Sequence, residues 1–310
     1  MITVENLRKS YGTKVAVDNV AFHIPRGEFY GLLGPNGAGK TTILNILTGV
    51  LTADRGNISI LGMRINKDNS IIRKKIGVVP QELALYEDLS AYDNLKFWGK
   101  IYGMKGKKLK DMIAFNLDRM GLSDRAKDKV RHFSGGMKRR LNIAIALMHE
   151  PEILFLDEPT VGIDPQSRNL VYESLSELSS FGKTIVYTSH YMDEVEQLCD
   201  RVGIIDKGKI IAQGTVDELR KITNLKETIH LKFSEGVIEN DKDIELFVDR
   251  FKDSEMRGNE IAIPMTDSKM DLLDVVSFCT QHSIDISSID VEKASLQNIF
   301  LRLTGKELRD

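Results

Sequence analysis

Gly34-Pro35-Asn36-Gly37-Ala38-Gly39-Lys40-Thr41-Thr42 constrains this chain more than any other stretch, because it follows the spacing G-x-x-x-x-G-K-[ST] with the flanks that spacing needs. The apolar run Phe29-Tyr30-Gly31-Leu32-Leu33 reads as a buried strand before it. Ile43, Leu44 and Leu47 recur at helical spacing after it. Glycines let backbone N–H groups converge on phosphate oxygens, and the start of a helix adds the positive end of its dipole. In such a loop Lys40 reaches the β- and γ-phosphates and the Thr41 hydroxyl meets Mg²⁺. A strand, a phosphate loop and a helix in that order already imply a parallel α/β sheet.

The rest of the chain repeats that alternation. Ile2-Thr3-Val4 and Ala16–Phe22 read as early strands with Lys9–Gly12 as the turn between them, and Asn57–Leu61 as another strand. Ile76-Gly77-Val78-Val79-Pro80-Gln81 is a buried strand ending at a polar amide that can ligate a metal. Ile153–Glu158 is an apolar strand ending in two acids, which suits Asp157 to Mg²⁺ and Glu158 to an attacking water. Lys183–Ser189 is a third such strand and delivers His190. Ligands of open parallel sheets gather at the carboxyl ends of strands, where Gln81, Asp157, Glu158 and His190 fall.

Between these strands, Ser90–Asp93 starts a helix carrying Leu95, Trp98 and Tyr102, an aromatic stretch that is either core or a partner's dock. A helix around Met112–Met120 leads to Phe133-Ser134-Gly135-Gly136-Met137, which opens a helix with Leu141, Ala144, Ile145 and Met148 on one face. That start is a second place where phosphate could meet helix N–H groups. Asp164-Pro165 has the form of a helix cap, which is a sufficient reason for Asp164. On the residues alone, Tyr11 is a packed tyrosine or an aromatic able to stack on a base, and His190 a structural histidine.

After the turn Asp206–Lys209, the capping box Thr215–Glu218 begins a helix that leaves the first domain. We read residues 1–222 as one domain and 223–310 as a small α/β domain. In the second, Ile229, Leu231, Phe233 and Ile261, Ile263, Met265 alternate as strands do. Helices are expected around Asp243–Phe251, over Leu272–Cys279 and from Ser295. Residues 1–219 hold 30 Lys and Arg against 27 Asp and Glu, and the remainder 13 against 18, so neither part has the concentrated basic face of a nucleic-acid binder. The runs Arg73-Lys74-Lys75 and Lys105–Lys110 are solvated faces. Cys199 and Cys279 lie far apart without a second ligand motif and read as small buried hydrophobes. No apolar run approaches the roughly 18–20 residues of a membrane span, and the first residues lack a signal peptide's pattern, which places the chain in the cytoplasm.

Taken as an ordered set, Gly34–Thr42, Gln81, Phe133–Met137, Asp157-Glu158, Gly162-Ile163-Asp164 and His190 resemble the ATP-binding cassette (ABC) ATPases over about the first 220 residues. The resemblance implies a P-loop NTPase cassette with a RecA-like parallel sheet, an antiparallel β subdomain and a helical signature subdomain, followed here by the C-terminal α/β domain. It implies ATP and Mg²⁺ as cofactors. Two cassettes would close head to tail, Ser134 and Gly136 of one meeting the γ-phosphate held by Gly37, Lys40 and Thr41 of the other.

By the same resemblance Tyr11 stacks on adenine, and Pro35, Asn36, Ala38, Gly39 and Thr42 complete the phosphate loop. Gly135 and Asp164 stand with Ser134 and Gly136 on the nucleotide side. Thr41, Gln81 and Asp157 attend Mg²⁺, His190 contacts the γ-phosphate, and Glu158 is the general base. The usual Leu-Ser-Gly-Gly-Gln is here Phe133–Met137, and a thioether cannot donate the glutamine's hydrogen bonds. Ser-Gly-Gly-Met before Lys138-Arg139-Arg140-Leu141, Thr160–Pro165, and the ending Ser295–Gly305 resemble the drug- and lipid-exporter branch, the last being its accessory domain. That branch implies a separate membrane permease as partner, a second cassette copy, and a peripheral place on the cytoplasmic face. The alternative is a cassette working off the membrane, in translation or DNA repair. It is disfavoured by the single cassette, the lack of zinc-site cysteines and the lack of a long heptad insertion.

Overall fold

The computed structural model describes residues 1–65, 70–225, 227–234, 247–251, 254–265, 272–282 and 284–305. It divides into two compact units, Met1–Val216 and a second that starts at Asp217.

The first unit is built on two sheets. Strands β1 (Ile2–Tyr11), β2 (Lys14–Ile24), β4 (Arg55–Ile60) and β5 (Met63–Arg64) form an antiparallel sheet in the order β2-β1-β4-β5. Strands β3 (Phe29–Leu33), β6 (Ile76–Val79), β7 (Ile153–Asp157), β8 (Thr184–Ser189), β9 (Arg201–Asp206) and β10 (Lys209–Gly214) form the other, in the order β10-β9-β3-β8-β7-β6. All neighbours in it are parallel except β10 on β9. Every residue of β3, β7 and β8 is buried, as in strands covered on both faces. The α/β fold expected from the alternating pattern is the one observed.

Three departures from the sequence reading matter for the site. Strand β1 runs on through Tyr11, so the turn is Gly12-Thr13 rather than Lys9–Gly12. Register shifts after Val4 and Leu7, with Asn6 and Asn19 in the left-handed region, carry the pairing past the polar residues that read as a turn. Strand β6 stops at Val79, which leaves Gln81 in the following loop. The chain between β6 and β7 then makes three packed helices, Ala91–Ile101, Gly106–Arg119 and Gly135–Leu147. Ser90 caps the first by accepting from the Asp93 N–H, as its capping-box pattern predicts, and Ser134 caps the third by accepting from the Met137 N–H, within the stretch expected to open that helix.

In the second unit, β11 (Thr228–Phe233), β12 (Glu255–Arg257), β13 (Glu260–Pro264) and β14 (Ile286–Glu292) form an antiparallel sheet in the order β12-β13-β11-β14. Ile229, Leu231, Phe233, Ile261 and Ile263 turn one face onto Phe247, Phe251, Val275 and Cys279. Residues 247–250 of the helix expected around Asp243–Phe251 are helical, and 243–246 lie outside the described residues. The helix Val216–Thr223 heads this unit, and Leu296–Thr304 follows β14 with Ser295 as its cap.

The side chain of Phe155 fills the middle of β7 at 0% exposure. Phe155→Ala is predicted to lower the stability of the first unit by about 3–5 kcal/mol. Denaturant unfolding followed by the emission of Trp98, the one tryptophan, reports on that unit alone.

Candidate active site

The loop after β3 bends back over itself around a buried ammonium. Lys40 is 4% exposed, and its Nζ donates to the Gly34 carbonyl at 2.7 Å and the Pro35 carbonyl at 3.2 Å. Gly34 cannot be anything larger, because a Cβ there would run into the carbonyl oxygen of Ile205. The Gly34 N–H donates to the Ser189 carbonyl at 3.4 Å, tying the loop to the end of β8. The turn after β9 grips the loop from the other side, the Gly208 N–H donating to the Ala38 carbonyl at 2.9 Å. The helix Lys40–Leu47 then starts at Gly39 with no side-chain cap and no acid in its first turn. An uncapped helix start beside a buried lysine fits a phosphate, whose oxygens satisfy both.

Asp157 is the last residue of β7 and Glu158 breaks from the strand. Glu158 has φ 46°, a left-handed backbone that costs a residue with a side chain on the order of 1–3 kcal/mol and concentrates at functional sites. Thr188 on β8 holds both acids. Its hydroxyl donates to Asp157 Oδ1 at 2.6 Å and accepts from the Glu158 N–H at 3.1 Å, while its carbonyl accepts from the same N–H at 3.2 Å. The left-handed turn aims the Glu158 side chain, 5% exposed by residue, at three neighbours. Lys40 Nζ lies 3.1 Å from Oε1, Gln81 Nε2 donates to Oε2 at 3.3 Å, and His190 Nδ1 lies 3.4 Å from Oε1. His190 Nδ1 is buried without a hydrogen-bond partner.

Gln81 reaches Glu158 from a loop that is itself fastened. Arg139, in the helix Gly135–Leu147, donates to the Pro80 carbonyl at 3.1 Å. The buried Asn94 exchanges hydrogen bonds with both the N–H and the carbonyl of Tyr86. Burial presses the Arg139 guanidinium below its ordinary pKa, with the Asp157 charge opposing.

Four of the expected residues thus meet, Lys40, Gln81 and His190 on Glu158, and Asp157 precedes that acid and is tied to it through Thr188. The Ser134–Gly136 helix start does not join them. It packs instead on the loop after Glu158, where a Cβ on Gly136 would collide with Ser167, and a Cβ on Gly135 would sit 3.5 Å from the Gly162 carbonyl. Asp164 is the cap foreseen from its sequence, accepting from the Ser167 N–H at 2.9 Å, and hydrogen bonds from Ser167 hold its carboxyl below the usual range. Tyr11 is 52% exposed at the end of β1, with the Lys9 ammonium 6.0 Å from its ring centre. Among the described residues, no hydrogen bond or ion pair joins Tyr11, Ser134 or Asp164 to Gly34–Thr42.

Sequence reasoning missed Thr188 and Arg139, which hold the two acids and the Gln81 loop. A threonine in a wholly buried strand carried the available signal, since a buried hydroxyl needs a partner.

A strand, a glycine loop around a buried lysine, and a strand end presenting two acids across from it define a P-loop nucleotide-binding fold with the parts of an ATPase. The comparisons agree. The family model described as "ABC transporter" matches residues 17–161. Over the full length of both proteins the chain is 45% identical to the linearmycin resistance ATP-binding protein LnrL of Bacillus subtilis (strain 168). It is 37% identical to the Nod factor export ATP-binding protein I of Paraburkholderia xenovorans (strain LB400), over 100% of this chain and 98% of the relative. It is also similar to the dimeric post-hydrolysis state of the ATP-binding cassette MJ0796 bound to ADP and Pi, with TM-score 0.65 and 27% identity over 70% of this chain and 99% of that one. The chain belongs to the ATP-binding proteins of ABC transporters, a family of ATPases.

Thr188→Val keeps the shape of the side chain and leaves Asp157 Oδ1 and the Glu158 N–H each short of a partner. Because the Glu158 N–H keeps the Thr188 carbonyl, the orphaned group is Asp157 Oδ1, and the change is predicted to cost about 1–3 kcal/mol of stability, measured by denaturant unfolding, and to lower ATP turnover.

Proposed function

We propose that this chain is the motor subunit of an exporter, hydrolysing Mg-ATP in a composite site shared by two cassettes and moving a separate membrane permease. The observation that carries this reading is the convergence of Lys40, Gln81 and His190 on Glu158, beside an uncapped helix start. Glu158 is the general base toward water, a role contributing on the order of 10²–10⁴ in rate. Lys40 exchanges its Glu158 partner for the β- and γ-phosphates, which frees the carboxylate for that role. His190 contacts the γ-phosphate through its ring, and the backbone of Gly34–Thr42 supplies fixed donors.

The oxygens of Thr41, Gln81 and Asp157 suit a hard cation. Thr188 occupies only one oxygen of Asp157, and Gln81 turns its NH₂ toward Glu158, leaving the amide oxygen available. Among the described residues no group of three or more His, Cys, Asp or Glu side chains is placed to hold a metal ion, and Thr41, Gln81 and Asp157 would hold Mg²⁺ together with the nucleotide's phosphates. Mg²⁺ bound there neutralises the charge that develops on the transferred phosphoryl group.

The signature start faces outward from the site of its own chain, with Ser134 and Gly135 exposed. That supports a second copy as the recipient of Ser134 and Gly136, with Gly135 and Asp164 alongside, and Tyr11 is free to stack on adenine. Two similar proteins bear the names of resistance and export ATP-binding proteins, which supports export as the direction. No helix among the described residues is long and apolar enough to cross a membrane, so the transport path belongs to a partner. Tyr86, Phe97 and Ile101, at 46%, 38% and 59% exposure beside the Gln81 loop, form the dock we assign to it. The second unit is the accessory domain, 223–310 by the sequence reading, with a regulatory role.

Glu158→Gln tests the mechanism. ATP binding is retained, turnover falls by about 10²-fold or more, and an ATP-bound dimer accumulates in size-exclusion chromatography. Near-normal hydrolysis would remove Glu158 from the chemistry. Purification of the tagged chain from membranes should recover an integral membrane protein, and recovery with ribosomes or DNA alone would contradict the exporter reading.

A further inference from the structure

Behind the reacting groups lies a carboxylate to which the scheme above gives no role. Glu194 is 2% exposed, in the short helix Met192–Leu198 after His190. Thr160 Oγ1 lies 2.7 Å from Oε1 and 2.8 Å from Oε2, Tyr187 OH donates to Oε2 at 2.7 Å, and Ser189 Oγ donates to Oε2 at 3.0 Å. Arg168 Nε stands 3.8 Å from Oε1, and the Glu194 charge also acts on Tyr172. Burial, and then the Glu194 charge, hold the Tyr187 and Tyr172 phenols above their ordinary pKa, so both remain donors.

These donors come from the segments that carry the chemistry. Thr160 is two residues after Glu158, in the loop that ends at the Asp164 cap. Ser189 precedes His190, and its oxygen also accepts from the Tyr191 N–H at 2.9 Å, closing the turn on which the histidine sits. Tyr187 precedes Thr188, which holds Asp157 and the Glu158 N–H. Arg168 and Tyr172 belong to the helix Pro165–Ser180 that Asp164 caps.

We propose that Glu194 is a positioning residue that locks the loop after Glu158 to the turn bearing His190, so that general base and histidine meet the γ-phosphate in one register. A hydroxyl on each segment points at the same buried acceptor, and displacing either segment strips Glu194 of a bond while the other remains. Cooperative networks of this kind are worth more than their pairs suggest. A misplacement of about 1 Å at a reacting group can cost about 10²-fold in rate, so a small slip between the two segments is enough to matter. The inference rests on the roles given above to Glu158 and His190.

The test is ATP turnover by the full chain, expressed per folded site by nucleotide titration and set beside the ATP Kd and Tm. Glu194→Gln keeps the volume but offers one acceptor oxygen in place of two. It is expected to lower kcat about 10- to 100-fold while the ATP Kd moves by less than about threefold. Thr160→Val and Ser189→Ala, which keep the carboxylate, are expected to lower kcat separately, and adding Thr160→Val to Glu194→Gln should cost little more. A carboxylate that only stabilises the fold would lower Tm and the folded fraction and leave kcat per folded site within twofold. That result, or a Thr160→Val loss that multiplies in full with the Glu194→Gln loss, overturns the proposal. If Glu194→Gln does not fold, the Thr160→Val/Ser189→Ala pair decides, less-than-multiplicative losses supporting the lock and fully multiplicative ones refuting it. An inactive Glu158→Gln beside a normal Glu194→Gln sinks the lock alone, whereas an active Glu158→Gln sinks the site reading beneath it.

Discussion

A buried ammonium has to be answered, and in this fold Glu158 answers it. Lys40 and Glu158 are 4% and 6% exposed at their side chains and 3.1 Å apart, on segments that leave β3 and β7 with β8 between them. Withdrawing both charges from water carries a desolvation cost that the attraction between them only partly offsets, so a buried pair is weak evidence for stability. Its geometry is nonetheless specified from several sides. Two loop carbonyls hold the lysine, and a left-handed backbone at Glu158, fixed by two bonds to Thr188, turns the acid toward it. Such a pair is suited to being exchanged, because an arriving phosphate can satisfy the lysine in place of the carboxylate.

The remaining parts are hung on that arrangement. Parallel order at β3, β8, β7 and β6 delivers the phosphate loop, His190, the two acids and the Gln81 loop to one edge of the sheet. The helix that begins at Ser134 does two jobs within its own chain. Arg139 fastens the loop before Gln81, and Gly136 packs against Ser167 at the start of the helix Pro165–Ser180 with no room for a side chain.

Much of this was legible in the sequence because burial writes itself in apolar runs. Strands β3, β7 and β8 are buried on both faces, and their ends were marked by a glycine loop, two acids and a histidine. Helix starts at Ser90, Ser134, Asp164 and Ser295 were legible because caps are local chemistry. The partners of buried polar groups were not, since the bonds of Thr188 to Asp157, Glu194 to Thr160 and Arg139 to Pro80 span 31, 34 and 59 residues of chain, beyond the reach of any local pattern. The β1 turn was misplaced because left-handed asparagines and bulges let a polar stretch stay in register. Strands β12 and β14 were missed because β12 is three residues long and β14 lacks clean alternation, its apolar residues at 286, 289 and 291.

The account turns on whether phosphate and Glu158 compete for the same ammonium. That competition can be read from ATP Kd values measured in four backgrounds: wild type, Glu158→Gln, Lys40→Ala and the double variant. If Glu158 must release Lys40 on binding, Glu158→Gln tightens ATP by about tenfold, or about 1.4 kcal/mol, and the gain disappears once Lys40 is alanine. Equal affinity in wild type and Glu158→Gln, or a gain that survives in the Lys40→Ala background, would contradict it.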